Sequence, residues 1–328
     1  MKWLSITQKK VERRYFKSRY ATELLVVLSF LLTLLSACIT DNEPATNKAV
    51  QSKQVEITPT KRKTQIPNTT EKAEVHYNQG VKYQEQGEQD QAIQEFQAAI
   101  GLRLDYAEAY NNLGTAYQSL GRYNQAIKAY QKSIEVKPGM IQGYHNLGNL
   151  YLLQGEFDQA IVAYQGVIHF KPKLAVAYVD LGRAYGMSGQ LDQAIKEFKN
   201  ALNLDPNLVE AHYALGVSFR HRGVFPLAIE SLQKVIGQRP NFIEAYINLG
   251  HAYRDQGALE EATEAFQAAG QIEPNNYQVF HELGIIYMKQ HRYEKATVSF
   301  QQALEIRPEA VQTQNNLRVA QARSARNR

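Results

Sequence analysis

The chain has 328 residues, with 37 Lys and Arg against 32 Asp and Glu, 44% hydrophobic residues and a single Cys. That composition is globular, and one cysteine excludes an internal disulfide, a CxxC redox pair and a thiolate zinc site. The net charge of +5 argues for an acidic partner, nucleic acid or membrane, only if it resides on the folded part of the chain.

Residues 1–23 hold seven basic and two acidic side chains, and an apolar run follows from Leu24 to Leu35, the form of a secretory signal. The run ends in Leu35-Ser36-Ala37-Cys38, which resembles the lipobox of bacterial lipoprotein signal peptides, with the chain's one cysteine on the position that requires a thiol. The resemblance implies a signal peptide over 1–37, a lipid on Cys38 and an exported, membrane-anchored lipoprotein. With Ile39 next and no Asp, it implies the periplasmic side of the outer membrane in an organism that has one. The alternative is a single-pass N-terminal signal anchor, although 16 apolar residues from Leu24 to Ile39 fall short of the ~20 that span a bilayer. Residues 38–72 are rich in Thr, Asn, Lys and Gln, carry Pro44, Pro59 and Pro67, and predict a flexible tether reaching about 30–35 Å.

A gapless period of 34 occupies the remainder. Gly80, Gly114, Gly148, Gly182, Gly216, Gly250 and Gly284 form one ladder, and alanine stands twelve residues after each, from Ala92 to Ala296. Aromatics hold three more columns, exemplified by Tyr110, Tyr117 and Tyr130, and prolines from Pro138 to Pro308 close six units. This spacing resembles the tetratricopeptide repeat over units 73–106, 107–140, 141–174, 175–208, 209–242, 243–276 and 277–310. The implied fold is all-α, a right-handed α-solenoid of seven helix-turn-helix units, with 311–328 as a capping helix and basic tail.

Within a unit, apolar residues at three- and four-residue steps give two amphipathic helices. Small Gly114 and Ala126 let them approach, and the aromatics are expected to fill the space between successive pairs. Asp90, Asn124, Asp158 and Asp192 are placed to cap second helices, and Pro226 fits a first turn. Leu104 replaces a terminal proline and predicts a less sharply ended helix. His291 replaces a turn glycine, and His76 and His212 replace the first aromatic as core substitutes. Arg318 stands where an eighth unit would have its glycine.

No phosphate loop, dinucleotide fingerprint, HExxH or GxSxG occurs, and the histidines lack metal-ligand spacing, so no catalytic residue, metal or cofactor is assigned. In tetratricopeptide arrays the first helices line a concave surface. Carried onto this chain, its peptide-facing columns include Asn111, Asn112, His145, Asn146, Asn149, Arg183, Tyr213, Arg220, Asn248, His251, Arg254 and His281. Asparagines there would hold an extended backbone through paired amide bonds. Arg183, Arg220 and Arg254 with His251 and His281 would form a cationic strip, unless Glu210, Glu244, Asp255 and Glu282 neutralise it. The lysine and arginine columns of a carboxylate clamp hold Tyr77, Val81, Asn112, Gln142 and Asn146, so that ligand class is not expected.

The expected function is a non-catalytic protein-protein interaction scaffold or adaptor at the bacterial cell envelope, with a protein or peptide in the groove. The alternative is an assembly factor or holdase for exported or membrane complexes. Nucleic acid is not an expected partner, because the charge lies elsewhere: residues 73–310 carry 20 basic and 26 acidic side chains, while 311–328 carry four and none.

Overall fold

The computed structural model describes residues 68–326 as fifteen helices with no strand among them. The signal, Cys38 and the tether up to residue 67 lie outside the described residues. First and second helices alternate: α1 (Thr69–Glu85), α2 (Gln89–Leu102), α3 (Ala107–Ser119), α4 (Tyr123–Val136), α5 (Ile141–Gln154), α6 (Phe157–Phe170), α7 (Ala175–Met187), α8 (Leu191–Leu204). They continue as α9 (Val209–His221), α10 (Phe225–Gln238), α11 (Ile243–Gln256), α12 (Leu259–Ile272), α13 (Tyr277–Lys289), α14 (Tyr293–Ile306) and the unpaired α15 (Val311–Arg326). α1 begins inside the stretch read as tether, because Asn68 and Glu71 form a reciprocal capping box at 2.9 and 3.0 Å.

The glycine ladder is explained by a ring. A Cβ on Gly284 would come within 2.4 Å of Phe300, and on Gly148 within 2.7 Å of Tyr164, sixteen residues on in the same unit. The third aromatic column therefore packs inside each helix pair, not between successive pairs as its pattern first suggests. Leu232 takes the ring's place against Gly216 in unit five. All seven alanines of the second ladder are fully buried beside these contacts. Such fits, repeated without a gap, leave no room for a methyl group.

Units are joined by a column that the pattern alone did not flag. Gln97, Gln131, Gln165, Gln233 and Gln267 each donate to the Tyr hydroxyl twenty residues on, at 3.0–3.4 Å. Where that tyrosine becomes Phe219, which has no hydroxyl, the glutamine becomes Lys199, whose Nζ lies 5.7 Å from the Phe219 ring.

Turns between paired helices use Gly87, Gly121, Gly155, Gly189, Gly223 and Gly257 at φ of 70–94°. His291 holds the same left-handed backbone at φ 59°, a conformation that costs an L-residue ~1–2 kcal/mol. Second helices close on extended residues, and Arg103 before Leu104 is as extended (φ −143°, ψ 94°) as Lys137 before Pro138 (φ −132°, ψ 89°). α2 is thus ended as sharply as the rest. The Arg103 guanidinium lies 3.9 Å over the Tyr106 ring and secures that junction without proline.

Two further expectations are corrected. Asp90, Asn124, Asp158 and Asp192 sit at the second helical position, and the N-caps Glu88, Arg122, Glu156 and Gln190 make no side-chain cap. Asp90 and Asp192 instead pair with Arg122 and Arg222 of the following units, at 3.0 and 2.7 Å. Of the two histidines, only His212 is core, donating from Nε2 to the Pro206 carbonyl at 2.9 Å as Tyr178 does to Pro172. The His76 side chain is 41% exposed and meets Glu95 at 2.7 Å.

Candidate groove on the first helices

Successive first helices touch one another, whereas the recurrent contacts of second helices are with first helices. First helices therefore crowd the inner side of the array, and second helices spread over the outer side.

One rule organises the inner side: the sixth residue of a unit reaches the fifth residue of the unit before. Asn112 Nδ2 donates to Tyr77 Oη, Asn146 Nδ2 to Asn111 Oδ1 and Asn248 Nδ2 to Tyr213 Oη, each at 3.1 Å. His145 Nε2 and Asp180 Oδ2, in the same two columns, are 3.2 Å apart. An amide NH2 has two hydrogens. Asn248 spends its second on the Glu244 carbonyl at 2.9 Å, whereas Asn112 and Asn146 each have one N–H with no partner among the described residues.

Behind this row stand the rings that pack on glycine. Tyr130 Oη donates to Gln118 Oε1 at 2.9 Å and Tyr164 Oη to Asn149 Oδ1 at 2.6 Å, and Asn149 Nδ2 meets His145 Nδ1 at 3.3 Å. Burial pushes the Tyr130 hydroxyl up to about 12 and raises that of Tyr164, so both remain donors. They orient Gln118 and Asn149 from below.

Arg183 and Arg254 carry the charged half. Burial works to raise the Asp180 carboxyl, but Arg183, bonded to its Oδ1, and His145 outweigh it and hold the group below its ordinary range. Arg254 Nη1 binds Glu282 at 2.6 Å and Nη2 binds Asp255 at 2.9 Å. Arg220 Nη1 lies 3.8 Å from the other Asp255 oxygen. Burial raises the Glu282 carboxyl, with Arg254 acting against it. Burial also raises Glu244, which pairs with none of these arginines, and Glu210 binds Arg239 at 3.0 Å. The expected cationic strip is therefore internally neutral, and its neutralising carboxylates are Asp180, Asp255 and Glu282.

Three expected contact residues are not at the groove surface. Asn111, His251 and His281 are only 7–8% exposed. His251 packs edge-on against Phe266 with centroids 5.2 Å apart, and His281 Nδ1 meets Thr313 Oγ1 of α15 at 2.8 Å. Asn112, His145, Asn146, Asn149, Arg183, Tyr213, Arg220, Asn248 and Arg254 lie on first helices and are all partly buried. Among the described residues no cluster of His, Cys, Asp and Glu is placed to hold a metal, and no helix is long and apolar enough to cross a membrane.

Family models described as TPR repeat match residues 80–121, 148–189, 187–220 and 250–291, and one described as Tetratricopeptide repeat matches 107–140 and 277–309. Together they cover more than half of the chain. They pass over 221–249, where α10 carries Pro226 and Leu232 in place of the usual residues yet still packs on Gly216. No curated protein matches the sequence. The fold is shared with the C-terminal part of a TPR repeat-containing protein from Cytophaga hutchinsonii (TM-score 0.62, 16% identity, 74% of this chain and 99% of that one). A tetratricopeptide repeat protein from Parabacteroides merdae has TM-score 0.57 and 18% identity over 76% and 99% of the two chains. A chain of the APC/C hetero-tetramer Cut9-Hcn1 has TM-score 0.55 and 19% identity over 77% of this chain, which spans about half (51%) of its length. No enzymatic family is indicated.

Proposed function

Because the chain belongs to the tetratricopeptide repeat family and is an interaction scaffold by that membership, we propose that it is an envelope adaptor, lipid-anchored at Cys38, that holds an extended segment of a partner protein along its first helices. The observation that carries this reading is the pair of Asn112 and Asn146. Each makes one N–H bond to the neighbouring unit and has a second amide hydrogen with no partner among the described residues, which this reading gives to the ligand backbone. A row of fixed amides recognises a backbone more than side chains, which suits a segment with no obligatory charge. The neutral strip further along supports the same reading. Its arginines are committed to Asp180, Asp255 and Glu282, and a ligand carboxylate would have to displace one of them.

A photocrosslinker at Gln142 in the full-length protein, in its own cells, tests the groove against one at Lys128 on an outer helix. Discrete adducts from Gln142 alone are expected; identical adducts from both positions would refute the reading. Cys38→Ser tests the anchor: the chain should leave the membrane fraction or persist as precursor, and unchanged mass and fractionation would favour a signal anchor.

A further inference from the structure

All nine arginines of units one to seven pair with a carboxylate at 3.9 Å or less. The three described arginines of α15 do not. Arg318 and Arg326 are exposed and pair with no described carboxylate, Arg323 lies 5.8 Å from the Tyr293 ring, and residues 311–328 include no Asp or Glu.

The location gives this charge a meaning. α15 occupies the place of an eighth first helix: Thr313 and Ala320 are fully buried on its inward side, and Leu317 joins the apolar cluster of Phe300. In every complete unit the face bearing the eighth-position glycine is covered by a second helix, whose side chain would lie within 2.4–2.7 Å of an added Cβ. On α15 that position is Arg318, Ala322 and Arg326 follow at one-turn steps, and no described helix covers them. An arginine there rejects an apolar ring and favours a carboxylate.

We propose that this face docks an acidic amphipathic helix of a partner protein, which takes the place of a second helix and sets a carboxylate where Phe300 stands in unit seven. The chain's own N-terminal segments do not fit, since 1–37 and 38–72 are both net basic. End-to-end contact with a second copy would bring up α1, a first helix that exposes Lys72 and Lys82 among Glu71, Glu74 and Glu85, and a helix of such mixed charge is not the acidic second helix this face selects. A lipid surface would need bulky apolar side chains beside the arginines, and the large hydrophobics exposed on α15 are only Val311 and Val319.

The test uses the full chain and two helix-stapled peptides of the α14 sequence, one unaltered and one carrying Phe300→Glu. The Glu peptide should bind, with an affinity that falls as NaCl rises. R318E/R326E should weaken it about tenfold or more while the thermal midpoint stays unchanged. Arg318→Gly should reverse the preference, so that the Phe peptide binds better. Absence of Glu-peptide binding, equal binding to R318E/R326E, or retention on phosphatidylglycerol vesicles that R318E/R326E abolishes would each overturn the proposal. Groove variants such as Asn146→Ala should leave the peptide affinity unchanged, which separates this face from the inner groove.

Discussion

Two glycines in neighbouring helices should answer the same substitution with opposite signs. At Gly284, an added Cβ falls 2.4, 2.5 and 2.7 Å from three atoms of the Phe300 ring, well inside ordinary carbon contact. That ring is fully buried, so it cannot swing away. Overpacking of this kind costs ~1–3 kcal/mol, and with three atoms of a rigid ring involved the upper half of that range applies. Alanine returns ~1 kcal/mol of helix propensity, leaving a net loss of about 1–2 kcal/mol. At Gly270, by contrast, the nearest atoms are Val279 Cγ1 at 3.4 Å and Phe280 Cζ at 3.7 Å. Other units carry isoleucine or leucine in that column, among them Ile134, Leu202 and Ile236, so there is space to fill. Gly270→Ala should therefore stabilise by ~1 kcal/mol. Urea unfolding followed by circular dichroism, with hydrogen exchange to assign the loss to α13 and α14, measures both. Gly284→Ala at or above wild-type stability would refute the ring-on-glycine account. Pairing it with Phe300→Leu should recover part of the loss, since the two positions are coupled through one contact.

His291→Gly should raise stability by ~1 kcal/mol by relieving its left-handed backbone, less whatever its 2.8 Å contact from Nδ1 to Tyr293 Oη contributes; a lower melting midpoint would count against this. Burial holds the His281 imidazole below its ordinary value of 6.5, so the unfolded chain binds the proton more readily. Stability should be full above about pH 7 and decline as the pH falls through 6.5 toward the folded value, with hydrogen exchange rising first in α15, and His281→Gln should flatten the profile. Arg254→Ala should destabilise by ~1–3 kcal/mol, because it strips the half-covered Glu282 and Asp255 of their shared cation, and adding Glu282→Gln should recover much of the loss in thermal melts.

The period of 34 made the fold legible because each column has one physical task, and tasks set by contacts within a unit survive in the sequence as invariant residue types. Gly284 and Ala296 are of this kind. Tasks shared between units are harder to read, since either partner can change if the other follows. The glutamine column from Gln97 to Gln267 was visible at its spacing, but its purpose emerges only when a tyrosine hydroxyl is found twenty residues on. Lys199 and Phe219 look like two unrelated departures until they are seen as one exchanged pair. The groove was misread for the same reason. Column position alone could not distinguish His251 and His281, which are buried in the core, from Asn146, which stays partly exposed while bonding to its neighbour. Nor did it reveal that Asp180 and Asp255 cancel the arginines beside them.

These shared contacts bear on how the array binds. Asn112, Asn146 and Asp180 each bridge two units, so the side chains that would meet a ligand also set the angle between repeats. A ligand that draws an amide or the Asp180 carboxylate away from its neighbour must change that angle, and one that uses only the spare N–H of Asn112 and Asn146 leaves it alone. Removing the bridge and removing the ligand bond are then separable. Asn146→Asp keeps an acceptor but loses both donors, whereas Asn111→Leu removes the acceptor on the preceding unit and leaves both hydrogens of Asn146 free. If the groove binds backbone through these amides, Asn146→Asp should weaken an extended segment while Asn111→Leu should preserve or strengthen it, at a cost in stability of ~1 kcal/mol for the lost inter-unit bond. Equal losses of binding in the two variants, measured on the crosslinked partner once identified, would mean that the angle between repeats governs recognition, and not the amide itself.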